Sequence, residues 1–326
     1  MSDLFIPVLH GATGRRPDEI DTLRTAEAVR DALRRLGHRS RLIALGTSGA
    51  RLDFLASRYP DLVFNLVEAV DGLAAPAAAI PEALTRRGLR YTGCGPVASR
   101  RCLSKIAQKE RMTHAGLPTP RWCRTGRHLA DCRQVIVKST TEHASIGIDQ
   151  TSVVPGIRAA ETIAARLARH GDAHFAEAYV EGREFALSLL EAGGEVRVLP
   201  PAETLFVGYG ADRFRIVDYD AKWVDGSHAF ENTPRRFDFP PEDGGLLAEL
   251  DRLARACWAL FDLAGYARVD FRVDDAGQPW ILEVNTNPCL APDAGFVAAA
   301  ARMGLGFDDL ICQIVAEALS QPSKAA

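Results

Sequence analysis

The sequence predicts an α/β protein in which an N-terminal open parallel sheet is followed by two mixed α+β lobes. Three observations predict it. Over residues 1–95 short apolar strands alternate with a helical pattern, which is the arithmetic of βαβ units. The stretch "GLPTP" (116–120) then punctuates the chain and opens a smaller unit. From "GREFALSLL" onward, closely spaced strands joined by tight turns favour antiparallel pairing.

Taken in order, "LFIPVL" (4–9) reads as a first strand leading into a Gly-containing turn. In the helix after it, Ile20, Leu23, Ala26, Val29, Leu33 and Leu36 follow helical spacing, and Gly37 closes it. "RLIAL", "LVFNL" and "LRYTG" read as further strands. A single helix is expected from about Ser99 to His114, with Leu103, Ile106 and Ala107 inward. Next come a strand "QVIVKS" (134–139), a polar loop "TTEHASIG", a helix near 157–170 and a strand "HFAEAYV" (174–180). Strands at 184–191, 195–199 and 214–217 follow, then a helix from about Gly244 to Leu263 and two strands at 266–273 and 279–284. Neither an internal repeat nor a low-complexity segment is present.

With 326 residues, 47% hydrophobic and 25% charged, the chain can build two or three cored units. A net charge of −3 and a pI near 6.3 give no general attraction for nucleic acid or an anionic membrane, so any polyanionic partner is small and locally held. The start "MSDLFIPVLHGATGRRPDE" lacks a signal peptide's basic start and long apolar core, which makes a cytoplasmic location the expectation. Seven cysteines without CxxC spacing argue against a disulfide framework and against a zinc site.

The chemistry concentrates near the C-terminus. Side chains two apart on a strand share a face, so "YARVDF" presents Arg268 with Asp270 and "ILEVN" presents Glu283 with Asn285. The turn "DDAGQP" joins the two strands. Paired as a hairpin, they crowd four polar groups together, and adjacent acids require cations. Asp270, Glu283 and Asn285 with room for waters suit Mg²⁺; the alternative is that Arg268 simply pairs with Asp270 or Glu283 at a sheet surface. Lys138 ends an apolar strand, Lys105 lies in a helix that otherwise buries its face, and Lys222 lies in "YDAKW", a polar loop of long reach. Any one of these is ordinarily a solvated lysine; with the acids they describe a site that neutralises a triphosphate.

At these residues the chain resembles the ATP-grasp superfamily and, within it, the D-alanine–D-alanine ligase family. The resemblance runs in register through "VFNLVEAVDG", "YTGCGPVASRRCLSKIAQKERMTHAGLPTP", "VIVKSTTEHASIGI", "FAEAYVEGREFALSLL", "YDAKW", "ARVDF" and "ILEVNTNP". It implies an N-terminal domain (1–95), a central ATP-grasp lobe (96–182) and a C-terminal ATP-grasp lobe with the metal site (183–326), the two lobes clasping ATP. It also implies a homodimer through the N-terminal lobe, with small-molecule acid and amine substrates.

By the same resemblance, Lys105 and Lys138 would contact ATP phosphates, and the loop after Lys138 would close as a lid with Ser145 and Gly147 offering backbone amides. Glu177 would meet the adenine edge with backbone groups of Tyr179 and Val180, and Glu184 would accept from the ribose hydroxyls. Lys222 would reach the terminal phosphate. Asp270, Glu283 and Asn285 would hold two Mg²⁺ ions, with Mn²⁺ as a substitute, and Arg268 would stabilise an oxyanion. A carboxylate would attack the γ-phosphoryl, and an amine would then displace phosphate from the acyl phosphate.

The substrate half departs from the family pattern. The serine of the family's Glu–Ser–Tyr trio aligns with Ala144 and its tyrosine with Trp223, which has no acceptor. Where the trio's glutamate is expected, "HGATGRRPDEID" places Arg15 or Arg16, so that Asp18 or Glu19 substitutes only with a shifted register. Cys289 replaces a glycine and Ala294 a serine that receives the second substrate's carboxylate; Asp293 is a candidate for pairing with an amine or for capping the next helix. Glu68 is a further substrate-site candidate. A thiol nucleophile at Cys289 is not required by acyl-phosphate chemistry. These departures predict an amide other than D-alanyl-D-alanine. The alternatives are a cyclising amide synthetase, a small-molecule phosphotransferase, a non-catalytic nucleotide-binding module and a genuine D-alanine–D-alanine ligase.

Overall fold

The computed structural model describes residues 3–12, 14, 16–46 and 49–321. The N-terminal layer is a three-stranded parallel sheet, β1 (Val8–Gly11), β2 (Leu42–Leu45) and β3 (Phe64–Asn65), in the order β2-β1-β3. Its helix Pro17–Arg35 begins with proline, where the absent N–H costs nothing, and ends before Gly37 at φ +86°. Ala26, Val29 and Leu33 are buried as their spacing requires, whereas Ile20 at the same period is 48% exposed. "LRYTG" contributes only an isolated bridge, Val63 to Tyr91.

The second sheet has four antiparallel strands, β4 (Trp122–Cys123), β5 (Val135–Ser139), β6 (Val153–Val154) and β7 (His174–Ala178), in the order β4-β7-β5-β6. The helix Ala159–His170 covers one face. The third is a six-stranded antiparallel sheet of β8 (Arg183–Ala192), β9 (Glu195–Val198), β10 (Ala202–Thr204), β11 (Arg235–Arg236), β12 (Tyr266–Val273) and β13 (Pro279–Asn285). Its path is β11-β10-β8-β12-β13, with β9 paired to β8. Gly182 joins β7 to β8 at φ +132°; a Cβ there would lie 2.1 Å from the Val273 carbonyl oxygen, so no side chain fits.

Further local expectations change. The helix expected from Ser99 to His114 is two helices, Pro96–Leu103 and Lys105–His114, because Ser104 takes extended angles and its hydroxyl caps the second by accepting from Ala107 N. Both pack on the six-stranded sheet: Ala98, Cys102 and Met112 share a core with Phe185, Leu187 and Phe271. Residues 214–217 form no strand, and Lys222 lies not in a loop but in a short helix, Tyr219–Trp223, capped by the Asp218 side chain. The helices Gly295–Arg302 and Phe307–Ser320 join the N-terminal layer, burying Phe296, Leu310 and Ile314 with Ile6, Val8 and Val29. Among the described residues no helix is long and apolar enough to cross a membrane.

Candidate active site

The hairpin β12–β13 assembles the polar face that two-residue spacing predicts. Arg268 lies opposite Asn285 and Asp270 opposite Glu283, with a register shift just after Asp270. Arg268 donates to both oxygens of Asp270, Nε–Oδ1 2.7 Å and Nη2–Oδ2 2.9 Å, so the simple ion pair is present too. Glu283 Oε2 lies 3.2 Å from Lys105 Nζ. Burial opposes charge on Glu283, yet Lys105 above all, with Lys138 and Arg268, holds its carboxyl well below the usual range. Arg268 is likewise kept charged by Asp270 against burial. Asn285 Oδ1 accepts from Asn287 N at 3.0 Å, which sets the amide's direction.

One helix holds this hairpin in place. β13 is the edge strand, and its outward backbone groups are taken by side chains and the preceding segment. Gln108, fully buried, receives the Val284 N–H at 2.7 Å and donates to Val284 O at 3.1 Å and Cys102 O at 2.6 Å. Ile281 N donates to Pro118 O, and Thr119 Oγ1 donates to Ile281 O. Lys105, Gln108 and Lys109 stand three and four residues apart on one face of Lys105–His114. Lys105 also donates to Glu142 O at 2.5 Å.

On the other side of the cleft, Lys138 Nζ lies 2.7 Å from Glu177 Oε1, and Lys109 Nζ lies 2.5 Å from Glu177 Oε2. The Glu177 side chain is 1% exposed. It is the shared ion-pair partner of these two lysines. Val180 O accepts from Arg272 Nε and Tyr179 N donates to Gln134 O, so these two of the pair's backbone groups already have partners. Glu184 accepts from Arg272 Nη1 at 3.0 Å; burial raises its pKa.

The loop after Lys138 is fastened over the cleft. Ala144 and Ser145 take φ of +58° and +60°, Gly147 +73°. Ser145 Oγ donates to Val217 O at 2.7 Å, and Trp223 Nε1 donates to Ala144 O at 2.8 Å. Trp223 thus contributes as a donor to the loop, a role its missing acceptor leaves open. Burial and the charge of Arg268 depress the Lys222 pKa, while Asp270, Glu283 and Glu184 support it. His143 comes 4.0 Å from Glu283 Oε2; burial and Lys105 lower its pKa to about 4, so it is neutral near pH 7.

The substrate-side candidates are less concentrated. Arg15 lies outside the described residues. Its neighbour Arg16 donates to Asp18 at 3.0 Å, so this arginine is already paired with its own acid. Glu68 lines a cavity with His143, Asn285 and Asn287; burial and the nearby Asp21 push its pKa up to about 7. Cys289 Sγ donates to Asp21 Oδ2 at 3.4 Å, and burial, followed by Glu68, pushes the thiol up, so it stays protonated and is no nucleophile. Asp293 is exposed, and its carbonyl oxygen accepts from Arg235.

Sequence reading passed over Gln108, Lys109, His143 and Arg272. The four-residue interval from Lys105 to Lys109 was a usable signal; the partners of the other three lie far away in sequence.

The donor set fits a hard divalent cation. Among the described residues no three His, Cys, Asp or Glu side chains gather around one point; two carboxylates and an amide share a face, and the buried Glu283 Oε2 makes an ion-pair contact with Lys105 Nζ at 3.2 Å but no hydrogen bond. That is the oxygen-only, incomplete shell that Mg²⁺ completes with waters and phosphate oxygens.

Fold and site together define an ATP-grasp enzyme, an ATP-dependent ligase that joins a carboxylate to an amine. The family described as "D-ala D-ala ligase C-terminus" matches residues 132–316. The D-alanine–D-alanine ligase of Methylococcus capsulatus is 31% identical over 302 residues, 90% of this chain and 90% of the relative. That of Synechococcus sp. strain JA-3-3Ab is 28% identical over 324 residues, 95% of this chain and 93% of the relative. The chain belongs to the D-alanine–D-alanine ligase family. Its fold is shared with the Bacillus anthracis D-alanine–D-alanine ligase complexed with ATP, at TM-score 0.74, 19% identity and 97% coverage of both chains. It is shared as well with the Vibrio cholerae D-alanyl-alanine synthetase A, at TM-score 0.75 and 19% identity, covering 98% of this chain and 100% of that one.

Proposed function

We propose that the protein condenses two D-alanine molecules into D-alanyl-D-alanine, hydrolysing ATP to ADP and phosphate. One observation carries the reading: the Arg268–Asp270 and Lys105–Glu283 cluster, with no metal-ligand candidate missing, sits in a chain similar over nine-tenths of its length to D-alanine–D-alanine ligases. These relatives support this reading better than the different amide that the sequence departures suggested.

In this account Lys105, Lys138 and Lys222 hold the phosphates, with Ser145 and Gly147 in the covering loop and Glu177, Glu184, Tyr179 and Val180 on the nucleoside side. Asp270, Glu283 and Asn285 would hold Mg²⁺, two ions in all, which neutralise the phosphoryl oxygens. The first substrate's carboxylate attacks the γ-phosphorus as the bond to ADP breaks. The amine of the second attacks the acyl carbon, phosphate leaves, and the amine's proton passes to solvent. Arg268 would stabilise the charge that develops on the acyl oxygen. The site positions and neutralises; no side-chain nucleophile takes part.

A second reading, an amide from another acid and amine, is favoured by Trp223, whose indole N–H is spent on Ala144 O, and by Ala294, which has no hydroxyl for a carboxylate. The test supplies Mg²⁺-ATP with D-alanine alone, or with pooled acids and amines, and reads phosphate and new masses. D-alanyl-D-alanine as the chief product supports the first reading; turnover only with the pools supports the second.

A further inference from the structure

Two lysines surround one buried carboxylate, and they are not equivalent. Lys109 is 1% exposed along its side chain, and its ammonium is enclosed by Glu177 Oε2 at 2.5 Å and Thr119 Oγ1 at 3.0 Å. Thr119 passes its own proton to Ile281 O, so the hydroxyl presents a lone pair to the lysine. Lys138 is 14% exposed, at the cleft. Glu177 pairs across the sheet with Ile136, two residues from Lys138 on the same face, so only the side chain of Lys138 has to swing for its ammonium to leave.

The charges explain why two lysines are present. One carboxylate and two ammonium groups leave the nearly dry cluster with one excess positive charge, which an incoming phosphate balances. If Lys138 were the sole partner of Glu177, its departure would strand a buried carboxylate, which is strongly unfavourable. With Lys109 in place, Glu177 keeps a counter-ion throughout.

We propose that Lys109 is the standing counter-ion of Glu177, a positioning residue that frees Lys138 to exchange Glu177 for a nucleotide phosphate. This rests on the nucleotide site proposed above. It assigns Lys109 a function in ATP affinity that it performs without touching the nucleotide.

The test compares Lys109→Met, Glu177→Gln, the double variant Lys109→Met/Glu177→Gln and Lys138→Met. ATP dissociation constants, KM for ATP, kcat and unfolding midpoints are measured for each. Lys109→Met should weaken ATP binding by roughly tenfold or more, because Lys138 is then held by an otherwise unpaired carboxylate. The double variant should bind ATP as tightly as Glu177→Gln alone, since with no carboxylate to neutralise Lys109 has nothing to do. A merely structural role predicts instead that the double variant loses stability and leaves the ATP affinity of Lys109→Met unrestored. If Lys109→Met fails to fold, the comparison of the double variant with Glu177→Gln still decides: weaker ATP binding by the double variant overturns the proposal, as does unchanged ATP binding by a folded Lys109→Met. Unchanged ATP binding by Lys138→Met would instead overturn the nucleotide-site reading itself.

Discussion

Replacing Gln108 by leucine keeps the volume of a fully buried side chain and removes its polar end. Three hydrogen bonds disappear: the one from Val284 N at 2.7 Å and those to Val284 O at 3.1 Å and Cys102 O at 2.6 Å. Val284 is itself 0% exposed, so water does not replace them. Each such bond is worth about 1 kcal/mol net, and leaving a buried partner unsatisfied costs about 1–3 kcal/mol, so a loss of about 3 kcal/mol or more is expected for Gln108→Leu. The loss falls on the edge strand between Glu283 and Asn285, so it should also loosen the metal-bearing face. Denaturant unfolding should show a lower midpoint with an unchanged slope, and ADP release titrated with Mg²⁺ should require several-fold more metal. An unchanged midpoint together with an unchanged Mg²⁺ requirement would refute the claim that Gln108 fixes this strand.

Arg268→Lys exchanges a two-pronged grip on Asp270 for a point charge and should lower kcat by about 10²–10³, the cost of losing a donor to developing charge; steady-state kinetics with unchanged ATP affinity checks it. Trp223→Phe deletes the N–H that holds Ala144 O, worth about 1 kcal/mol, together with part of the ring, and should raise KM for ATP several-fold with only a small fall in the unfolding midpoint. Glu68 retains its proton up to about pH 7 in the folded chain but loses it near 4.5 when unfolded. Folding therefore binds a proton in that window, and stability falls as pH rises through it. Glu68→Gln should remove this fall, so that the variant gains on the parent between pH 5 and pH 8; parallel stability curves would contradict it.

The hairpin was legible because two-residue alternation survives any packing: Arg268, Asp270, Glu283 and Asn285 share a face whatever surrounds them. The parallel N-terminal strands and the helix ending at Gly37 were legible for the same local reasons. The break at Ser104 was not, since an apolar period continues across it and only the cap reveals it. Gln108 meets a strand 176 residues away, and Lys109 reaches from its helix to Glu177 on β7; the four-residue interval marks Lys109, but neither partner leaves a trace in local pattern. Trp223 shows the limit of reasoning by substitution. Its sequence position marked a lost acceptor, whereas the fold uses the indole as a donor to the loop that covers the cleft.

The most direct measurement incubates the purified protein with Mg²⁺-ATP and D-alanine and follows phosphate release together with product mass. The account predicts phosphate release that depends on D-alanine and a product equal to two D-alanines less one water. Tight ATP binding without turnover on D-alanine or any acid–amine pair would contradict it, because the cluster of Arg268, Asp270, Glu283 and Asn285 would then be serving no ligation.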